Sequence, residues 1–176
     1  MVITLIGYRG SGKSSVAGLL AAALDMSWID SDDVIEQRAG RSIREIFATD
    51  GEAEFRRLER NVLRDLTSQE SLIIAAGGGV VLAEDNRRCM QQAGPVIWLQ
   101  AGVERLAERI QQDASTAERR PSLTGQSVAD EIEAVLTDRL PLYEDAATLA
   151  INTDDFSPDE VAEEICRQLP ALRKPS

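Results

Sequence analysis

The chain has 176 residues, of which 43% are hydrophobic and 28% are charged, a composition typical of one folded globular domain. Nineteen basic against 30 acidic residues give a net charge of −11, and such a surface repels nucleic acids and anionic membranes. The chain contains no histidine and only two cysteines, which excludes a zinc site or another soft-metal site.

Short apolar runs alternate along the chain with longer segments of helical period, the pattern of βαβ units around a mainly parallel sheet. The pattern predicts five strands: Val2–Ile6, Trp28–Asp30, Leu72–Ala75, Val96–Leu99 and Thr148–Ile151. It predicts helices over Ser14–Leu24, Asp33–Arg38, Ile43–Ala48, Glu52–Thr67, Glu84–Gln92, Val103–Asp113, Val128–Leu140 and Pro158–Leu169. The expected fold is therefore a single α/β domain.

Two helix starts carry the spacing of a capping box. Ser42 precedes Glu45 by three residues, and Ser157 precedes Glu160 by three, with Pro158 at the first helical position. These are the firmest predicted boundaries. After the last helix, residues 170–176 contain two prolines and a basic pair, and we expect this tail to be frayed.

Two stretches interrupt the regular alternation. Residues 33–60 form a block of short charged helices where a simple crossover helix is expected, which predicts an inserted substrate subdomain. Residues 112–127 contain a long polar loop with Arg119 and Arg120, which is either a functional lid or disordered.

The segment Gly7–Ser14 reads GYRGSGKS, which matches the phosphate-binding pattern G-x-x-x-x-G-K-[ST]. It follows a predicted strand and opens a predicted helix, as such a loop must. The main-chain amides of the loop would then surround a phosphate, Lys13 would reach the β and γ oxygens, and Ser14 would bind Mg²⁺. The alternative is a glycine-rich turn before a helix.

Two acidic residues end the second predicted strand, at the edge of an open α/β sheet where ligands bind. In an extended chain Asp30 and Asp32 point to the same side, so both carboxylates would face the phosphate site. One would act on the metal side, while the other would orient a substrate hydroxyl or accept its proton. The alternative is that Ser31 or Asp32 only caps the next helix.

Three consecutive glycines, Gly77–Gly79, follow the third predicted strand at the same edge. Such a run costs backbone entropy, which predicts that a small molecule lies against the main chain there, although a flexible turn is the alternative. The arginines Arg56, Arg120 and Arg139 are candidate anion ligands, but residue patterns alone do not distinguish them from surface arginines.

The segments GYRGSGKS, IDSD, IEQRAGRSIREIFATDGEAEFRRLE, AAGGGVV, ERRPSL and DRLPLYEDAA together resemble the shikimate kinases over nearly the whole chain. The resemblance implies a three-layer P-loop kinase fold with a five-stranded parallel sheet in the order 2-3-1-4-5. It also implies a shikimate-binding subdomain at 33–60, a lid at 112–127, and transfer of phosphate from ATP to the 3-hydroxyl of shikimate. The cofactor that the resemblance implies is one Mg²⁺ ion per subunit.

The same resemblance assigns roles to individual residues. The implied catalytic residues are Lys13, Asp32 and Arg120, and the implied metal ligands are Ser14 and Asp30. The implied nucleotide-binding residues are Gly10, Ser11, Gly12, Lys13, Ser14, Ser15, Arg109 and Arg120, with Arg109 near adenine. The implied shikimate-binding residues are Asp32, Arg56, Gly78, Gly79 and Arg139. The two arginines would grip the carboxylate, Gly78 and Gly79 would line the pocket, and Glu59 would support that pocket.

Two other functions fit part of the pattern. A gluconate kinase would share the phosphate half, but it gives no reason for EFRR, GGG and RLPLY to occur together. A GTPase switch would need an N-K-x-D segment, and the nearest candidate, Asn152–Asp155, lacks the lysine.

Composition and termini also predict the setting of the protein. No apolar run approaches the ~20 residues needed to cross a bilayer, and the amino terminus lacks the basic start of a signal peptide. We therefore expect a cytoplasmic monomer whose partners are ATP and shikimate, with no nucleic acid or membrane partner.

Overall fold

The computed structural model describes residues 1–112 and 127–172. Its centre is a parallel sheet of five strands: β1 (Val2–Ile6), β2 (Ser27–Asp30), β3 (Leu72–Ala75), β4 (Val96–Gln100) and β5 (Leu149–Asn152). The strands lie in the order β2-β3-β1-β4-β5, which confirms the predicted fold class and strand order. Because all five strands run the same way, their carboxyl ends meet at one edge of the sheet.

Helices cover both faces of the sheet. They are α1 (Lys13–Leu24), α2 (Ser31–Ala39), α3 (Ile43–Thr49), α4 (Gly51–Thr67), α5 (Glu84–Ala93), α6 (Val103–Gln112), α7 (Val128–Ala146) and α8 (Pro158–Leu172), with a 3₁₀ turn at Val80–Leu82. Each helix connects or follows strands as the βαβ pattern predicts.

The two faces of the sheet have separate hydrophobic cores, because alternate residues of a strand point in opposite directions. In β1, Ile3 and Leu5 pack toward α1 and α8, whereas Val2 and Ile6 pack toward α4, α5 and α7. Each of these four residues is at most 2% exposed. Such double burial explains why the central strands read as continuous apolar runs.

The main difference between predicted and observed boundaries is the end of α7. The sequence predicts that the helix stops at Leu140, before Pro141, but it continues to Ala146. Proline lacks the amide that would bond to the preceding turn, so the extension must be stabilised by packing. Tyr143 and Ala146, both fully buried, supply that packing beyond the proline.

Both predicted capping boxes are present. The Ser42 Oγ accepts a hydrogen bond from the Glu45 amide, while the Glu45 carboxylate accepts from the Ser42 amide. The Ser157 and Glu160 pair makes the same two bonds at the start of α8. Helix α8 then runs to Leu172, three residues beyond the predicted Leu169.

Within residues 1–112 and 127–172, none of the helices is both long and apolar enough to span a bilayer.

Candidate active site

A cavity of about 570 Å³ lies at the carboxyl edge of the sheet. The segments that follow β1, β2, β3 and β5 all contribute to its wall. The predicted site residues that line it are Gly10, Ser11, Gly12, Lys13, Ser14, Ser15, Asp30, Asp32, Gly78 and Arg109. The structure thus brings the phosphate loop, the acidic pair and the glycine run together around one space.

The phosphate loop places Lys13 at the first turn of α1. Its Nζ lies 3.0 Å from the Gly7 carbonyl oxygen and 2.8 Å from that of Tyr8. The ammonium group is therefore held over the loop by the loop's own backbone. The amino terminus of α1 lies behind it and favours negative charge in front of the loop.

Asp30 connects the phosphate loop to α2. Its Oδ2 accepts a hydrogen bond from the Ser14 Oγ at 2.9 Å, and its Oδ1 accepts one from the Asp32 amide at 2.9 Å. Asp30 is therefore the N-cap of α2, whereas the sequence offered Ser31 or Asp32 for that role. The carboxylate is fixed from both sides and lies next to a serine hydroxyl.

Asp32 reaches the cavity by a different route from the one predicted. The sequence argument placed Asp30 and Asp32 on one side of an extended chain, but α2 already begins at Ser31. The extended premise is wrong, since Asp30 ends the strand and Asp32 lies in the first helical turn. Both residues nevertheless line the cavity, because the turn into α2 bends around its edge.

Side chains crowd two of the three consecutive glycines. A Cβ atom on Gly77 would lie 2.6 Å from the Asp32 Oδ1, and one on Gly79 would lie 2.6 Å from the Arg56 Nη1. No larger residue fits at these positions without displacing the acid or the arginine. The run of glycines therefore lets Asp32 and Arg56 approach the main chain from either side.

Arg56, on α4, is oriented by two carboxylates. Its Nη1 donates to Glu59 at 2.9 Å and its Nε donates to Glu52 at 3.2 Å. Glu59 is only 3% exposed, and a buried carboxylate is stable only when it is paired. Glu59 thus holds Arg56 against Gly79, which agrees with the role that the resemblance implies for Glu59.

Arg139, on α7, approaches the glycine run from another direction. Its Nη1 donates to the Gly78 carbonyl oxygen at 3.0 Å, and the Tyr143 hydroxyl donates to the same oxygen at 2.7 Å. Asp32, Arg56 and Arg139 therefore all meet at Gly77–Gly79. Two guanidinium groups and one carboxylate thus lie beside consecutive residues of one main-chain run, although Arg56, Gly79 and Arg139 are not among the residues that line the cavity.

The far end of the cavity is less polar. Arg109, on α6, donates to the Thr153 carbonyl oxygen at 2.9 Å and to the Thr153 Oγ1 at 3.1 Å. Phe156, Pro158 and Val161 line the same end. These apolar residues and the phosphate loop line the same cavity. Arg120 and the rest of the predicted lid lie outside the described residues, apart from the end positions 112 and 127.

Sequence reasoning missed three residues that shape the site. The Ser31 Oγ accepts a hydrogen bond from the Gly77 amide at 3.1 Å, Thr153 anchors Arg109, and Tyr143 bonds to Gly78. Each is polar and buried, with at most 3% exposure. Ser31, between two aspartates, and Tyr143, in RLPLY, stood inside quoted motifs, but no local signal shows that either side chain points inward.

Comparison with known proteins gives a consistent result. The model of the shikimate kinase family matches residues 9–170. The chain is 45% identical over 167 residues to a shikimate kinase of Rhodopirellula baltica, covering 95% of this chain and 89% of that one. It superposes with a TM-score of 0.90 on the shikimate kinase of Acinetobacter baumannii in complex with shikimate, at 33% identity, covering 99% and 95% of the two chains.

The fold is also shared with a protein of another kinase family. A gluconokinase of Sinorhizobium meliloti superposes with a TM-score of 0.59 at 17% identity, covering 97% of this chain and 92% of that one, which is a likeness of architecture only. The difference lies in sequence identity, since the curated relative from Rhodopirellula baltica is 45% identical over 95% of this chain, and the family model matches residues 9–170, which include the glycine run. The chain belongs to the shikimate kinase family.

Proposed function

We propose that this chain transfers the γ-phosphoryl group of ATP to the 3-hydroxyl of shikimate, giving ADP and shikimate 3-phosphate. One observation carries the proposal beyond family membership: Asp32, Arg56 and Arg139 meet at one glycine run beside a phosphate loop. The shikimate-bound relative from Acinetobacter baumannii supports the choice of acceptor, because its fold matches this chain over nearly its full length.

On the nucleotide side, the loop amides and Lys13 would bind the β and γ phosphates, and Arg109 would lie beside the adenine. Arg120, which lies outside the described residues, is proposed from the ERRPSL motif as a further cation over the phosphates. These positive groups would offset the charge that spreads over the oxygens of the transferred group, and enzymes accelerate this reaction by such charge stabilisation together with positioning of the reactants.

We also propose that Ser14 and Asp30 hold Mg²⁺. Both offer hard oxygen atoms, and the hydrogen bond of 2.9 Å between them brings these atoms to one point at the edge of the cavity. Magnesium prefers few protein ligands and completes its shell with water and phosphate oxygens, so one hydroxyl and one carboxylate suffice. When bound, the ion would neutralise charge on the β and γ phosphates.

On the acceptor side, Asp32 would orient the 3-hydroxyl and accept its proton. The oxygen of that hydroxyl forms the new bond to the γ-phosphorus, while the bond from the γ-phosphorus to the β–γ bridging oxygen breaks and ADP leaves. Arg56 and Arg139 would bind the carboxylate with guanidinium forks, and the amides of Gly78 and Gly79 would line the pocket.

The proposal also covers the acceptor subdomain, the oligomeric state and the cellular compartment. Residues 33–60 would form the acceptor subdomain, and the active form would be a monomer in the cytoplasm. Cys89 and Cys166 are free, and burial raises the pKa of the Cys166 thiol, which lowers the fraction present as the reactive thiolate. Free thiols are typical of a reducing compartment.

A coupled assay of ADP release tests the proposed function. The purified chain is supplied with Mg²⁺ and ATP and with one acceptor at a time: shikimate, quinate, gluconate or a nucleoside monophosphate. We expect kcat/KM for shikimate to exceed that for each other acceptor by at least about a hundredfold. Each of these acceptors carries an anionic group, but its distance and direction from the reacting hydroxyl differ from those in shikimate, and a misplacement of about 1 Å costs about a hundredfold in rate. Equal or better use of gluconate would contradict the proposal and favour the gluconokinase alternative.

A further inference from the structure

Tyr143 is a fully buried tyrosine on α7, at the point where the helix passes under the glycine run. Its relative exposure is 0%, and its ring stacks on that of Trp98 in β4, with ring centres 5.4 Å apart and planes 14° apart. Its hydroxyl donates to the Gly78 carbonyl oxygen at 2.7 Å. The residue therefore connects the sheet, helix α7 and the glycine run.

Arg139 lies four residues earlier on the same helix, and residues four apart share one helix face. Its Nη1 donates to the same Gly78 oxygen at 3.0 Å. A carbonyl oxygen has two lone pairs, so the two donors together saturate it. Within the described residues this is the hydrogen bond that positions the Arg139 guanidinium.

The position of Arg139 therefore depends on the position of the Gly78 carbonyl. A glycine run has many accessible backbone conformations, and this one carbonyl is held by the Tyr143 hydroxyl, which is itself fixed by the stacked Trp98 ring. Without the Tyr143 hydroxyl, the Gly78 carbonyl would keep only the Arg139 side chain as its hydrogen-bond partner, and that side chain is half-buried, long and flexible. The arginine and the peptide would then move together.

We propose that Tyr143 is a positioning residue for acceptor recognition. Its hydroxyl fixes the Gly78 carbonyl and thereby sets where Arg139 meets the shikimate carboxylate, although Tyr143 itself does not touch the acceptor. The inference rests on the proposed function, because it assigns Arg139 to the carboxylate of shikimate.

The test compares Tyr143→Phe with a matched control. The phenylalanine keeps the stacked ring and removes only the hydroxyl. Thr148→Val is the control, because the Thr148 Oγ1 also donates to a main-chain oxygen, that of Val96, at 2.9 Å, at the opposite edge of the sheet. KM values for shikimate and ATP, kcat and the melting temperature are measured for wild type and both variants.

For Tyr143→Phe we expect KM for shikimate to rise about tenfold, the loss typical of one buried hydrogen bond, while KM for ATP changes less than about twofold. An analogue of shikimate with a hydroxymethyl group in place of the carboxylate should lose much less in the variant. Thr148→Val should lower the melting temperature and leave both KM values unchanged. Tyr143→Phe combined with Arg139→Lys should lose less than the product of the two single factors, because both act on one contact.

Three outcomes would overturn the inference. If Tyr143→Phe behaves like Thr148→Val, the hydroxyl only stabilises the fold. If the variant loses the same factor on shikimate and on the hydroxymethyl analogue, the effect does not pass through Arg139. If both KM values rise together, the change disrupts the whole cavity.

A spectroscopic measurement covers the case in which Tyr143→Phe does not fold. The chain has two tyrosines, so in a Tyr8→Phe background 3-fluorotyrosine labels position 143 alone. Saturating shikimate should shift the ¹⁹F resonance more than the hydroxymethyl analogue does, and equal or absent shifts would overturn the inference. Failure of the proposed function is recognised separately, since wild type would then neither bind shikimate nor release ADP with it.

Discussion

Two adjacent arginines show how environment separates residues that are alike in sequence. The Arg56 side chain is 17% exposed, is paired with the buried Glu59, and lies against Gly79. The Arg57 side chain is 55% exposed and pairs with Glu54, where the hydrogen bond with Glu54 raises the pKa of Arg57 and lowers that of Glu54. A solvated pair of this kind contributes little to stability. Of these two arginines, Arg56 is the one that lies beside the glycine run, where the acceptor is proposed to bind.

Arg56→Lys is expected to impair the use of shikimate although it keeps the charge. An ammonium group cannot hold Glu59 and a substrate carboxylate in fixed forks at once, so kcat/KM for shikimate should fall by roughly thirtyfold or more. KM for ATP should stay nearly constant. Arg57→Lys is the matched control, one position along the same helix, and should be close to wild type in steady-state assays. Equal losses in the two variants would remove Arg56 from the acceptor site.

At the scale of elements, short helices depend on their ends. Helix α3 has only seven residues, too few to be stable alone, and it carries the capping box of Ser42 and Glu45. It packs against α4 through buried residues such as Ile43 and Ile46, and α4 holds Arg56. The cap of α3 therefore contributes to the packing of the segment that presents Arg56, the side chain proposed to bind the acceptor.

Ser42→Ala should lower the free energy of unfolding by about 1 kcal/mol, because alanine cannot accept the hydrogen bond that the Glu45 amide donates to the serine N-cap. Urea denaturation at neutral pH measures the loss. An unchanged unfolding midpoint would mean that the cap does not contribute to the cooperative unit.

The Glu45 carboxylate adds a dependence on pH. Hydrogen bonds from Ser42 lower the pKa of Glu45 below its ordinary value of 4.5, so its contribution is complete above that value and is lost as the pH falls through the lowered pKa. Glu45→Gln should therefore be less stable than wild type at neutral pH, and the gap should narrow in acid. A gap of the same size at neutral and at acid pH would contradict this role of the Glu45 carboxylate.

The protein as a whole is acidic, but several of its positively charged side chains lie close together at or beside the cavity. The net charge is −11, yet Lys13, Arg56, Arg109 and Arg139 surround the cavity or the glycine run beside it. The remaining surface repels large polyanions, while the cavity attracts small ones. The charge distribution thus favours small anionic substrates over nucleic acid.

Ligand binding should consequently stabilise the whole fold. Shikimate at 100 times its dissociation constant, measured first by calorimetry, should add about 2.7 kcal/mol to the free energy of unfolding. For a domain of this size that raises the melting temperature by roughly 5–10 °C. The hydroxymethyl analogue at the same concentration should give a much smaller shift. Equal shifts from the two compounds would show that the carboxylate is not recognised.

The order of elements, the phosphate loop and both capping boxes could be read from the sequence, because each depends on residues close together in the chain. Periodicity distinguishes strands from helices, and Gly7–Ser14 carries its own context of strand and helix. The same local reasoning found Asp30 and Gly77–Gly79 at strand ends. Resemblance to the shikimate kinases then supplied the strand order and the roles of the arginines.

Three features depended on contacts between distant residues and could not be read locally. Helix α7 passes Pro141 because Tyr143 and Ala146 are buried against the sheet, and Arg56 differs from Arg57 because Glu59 is buried beside it. Asp32 lies in the first turn of α2, and the Ser31 hydroxyl of that turn accepts a hydrogen bond from the Gly77 amide, 46 residues away in the chain. Local sequence sets backbone propensity, whereas burial and hydrogen-bond partners arise only when segments far apart in the chain pack together, and those partners orient the side chains of the site.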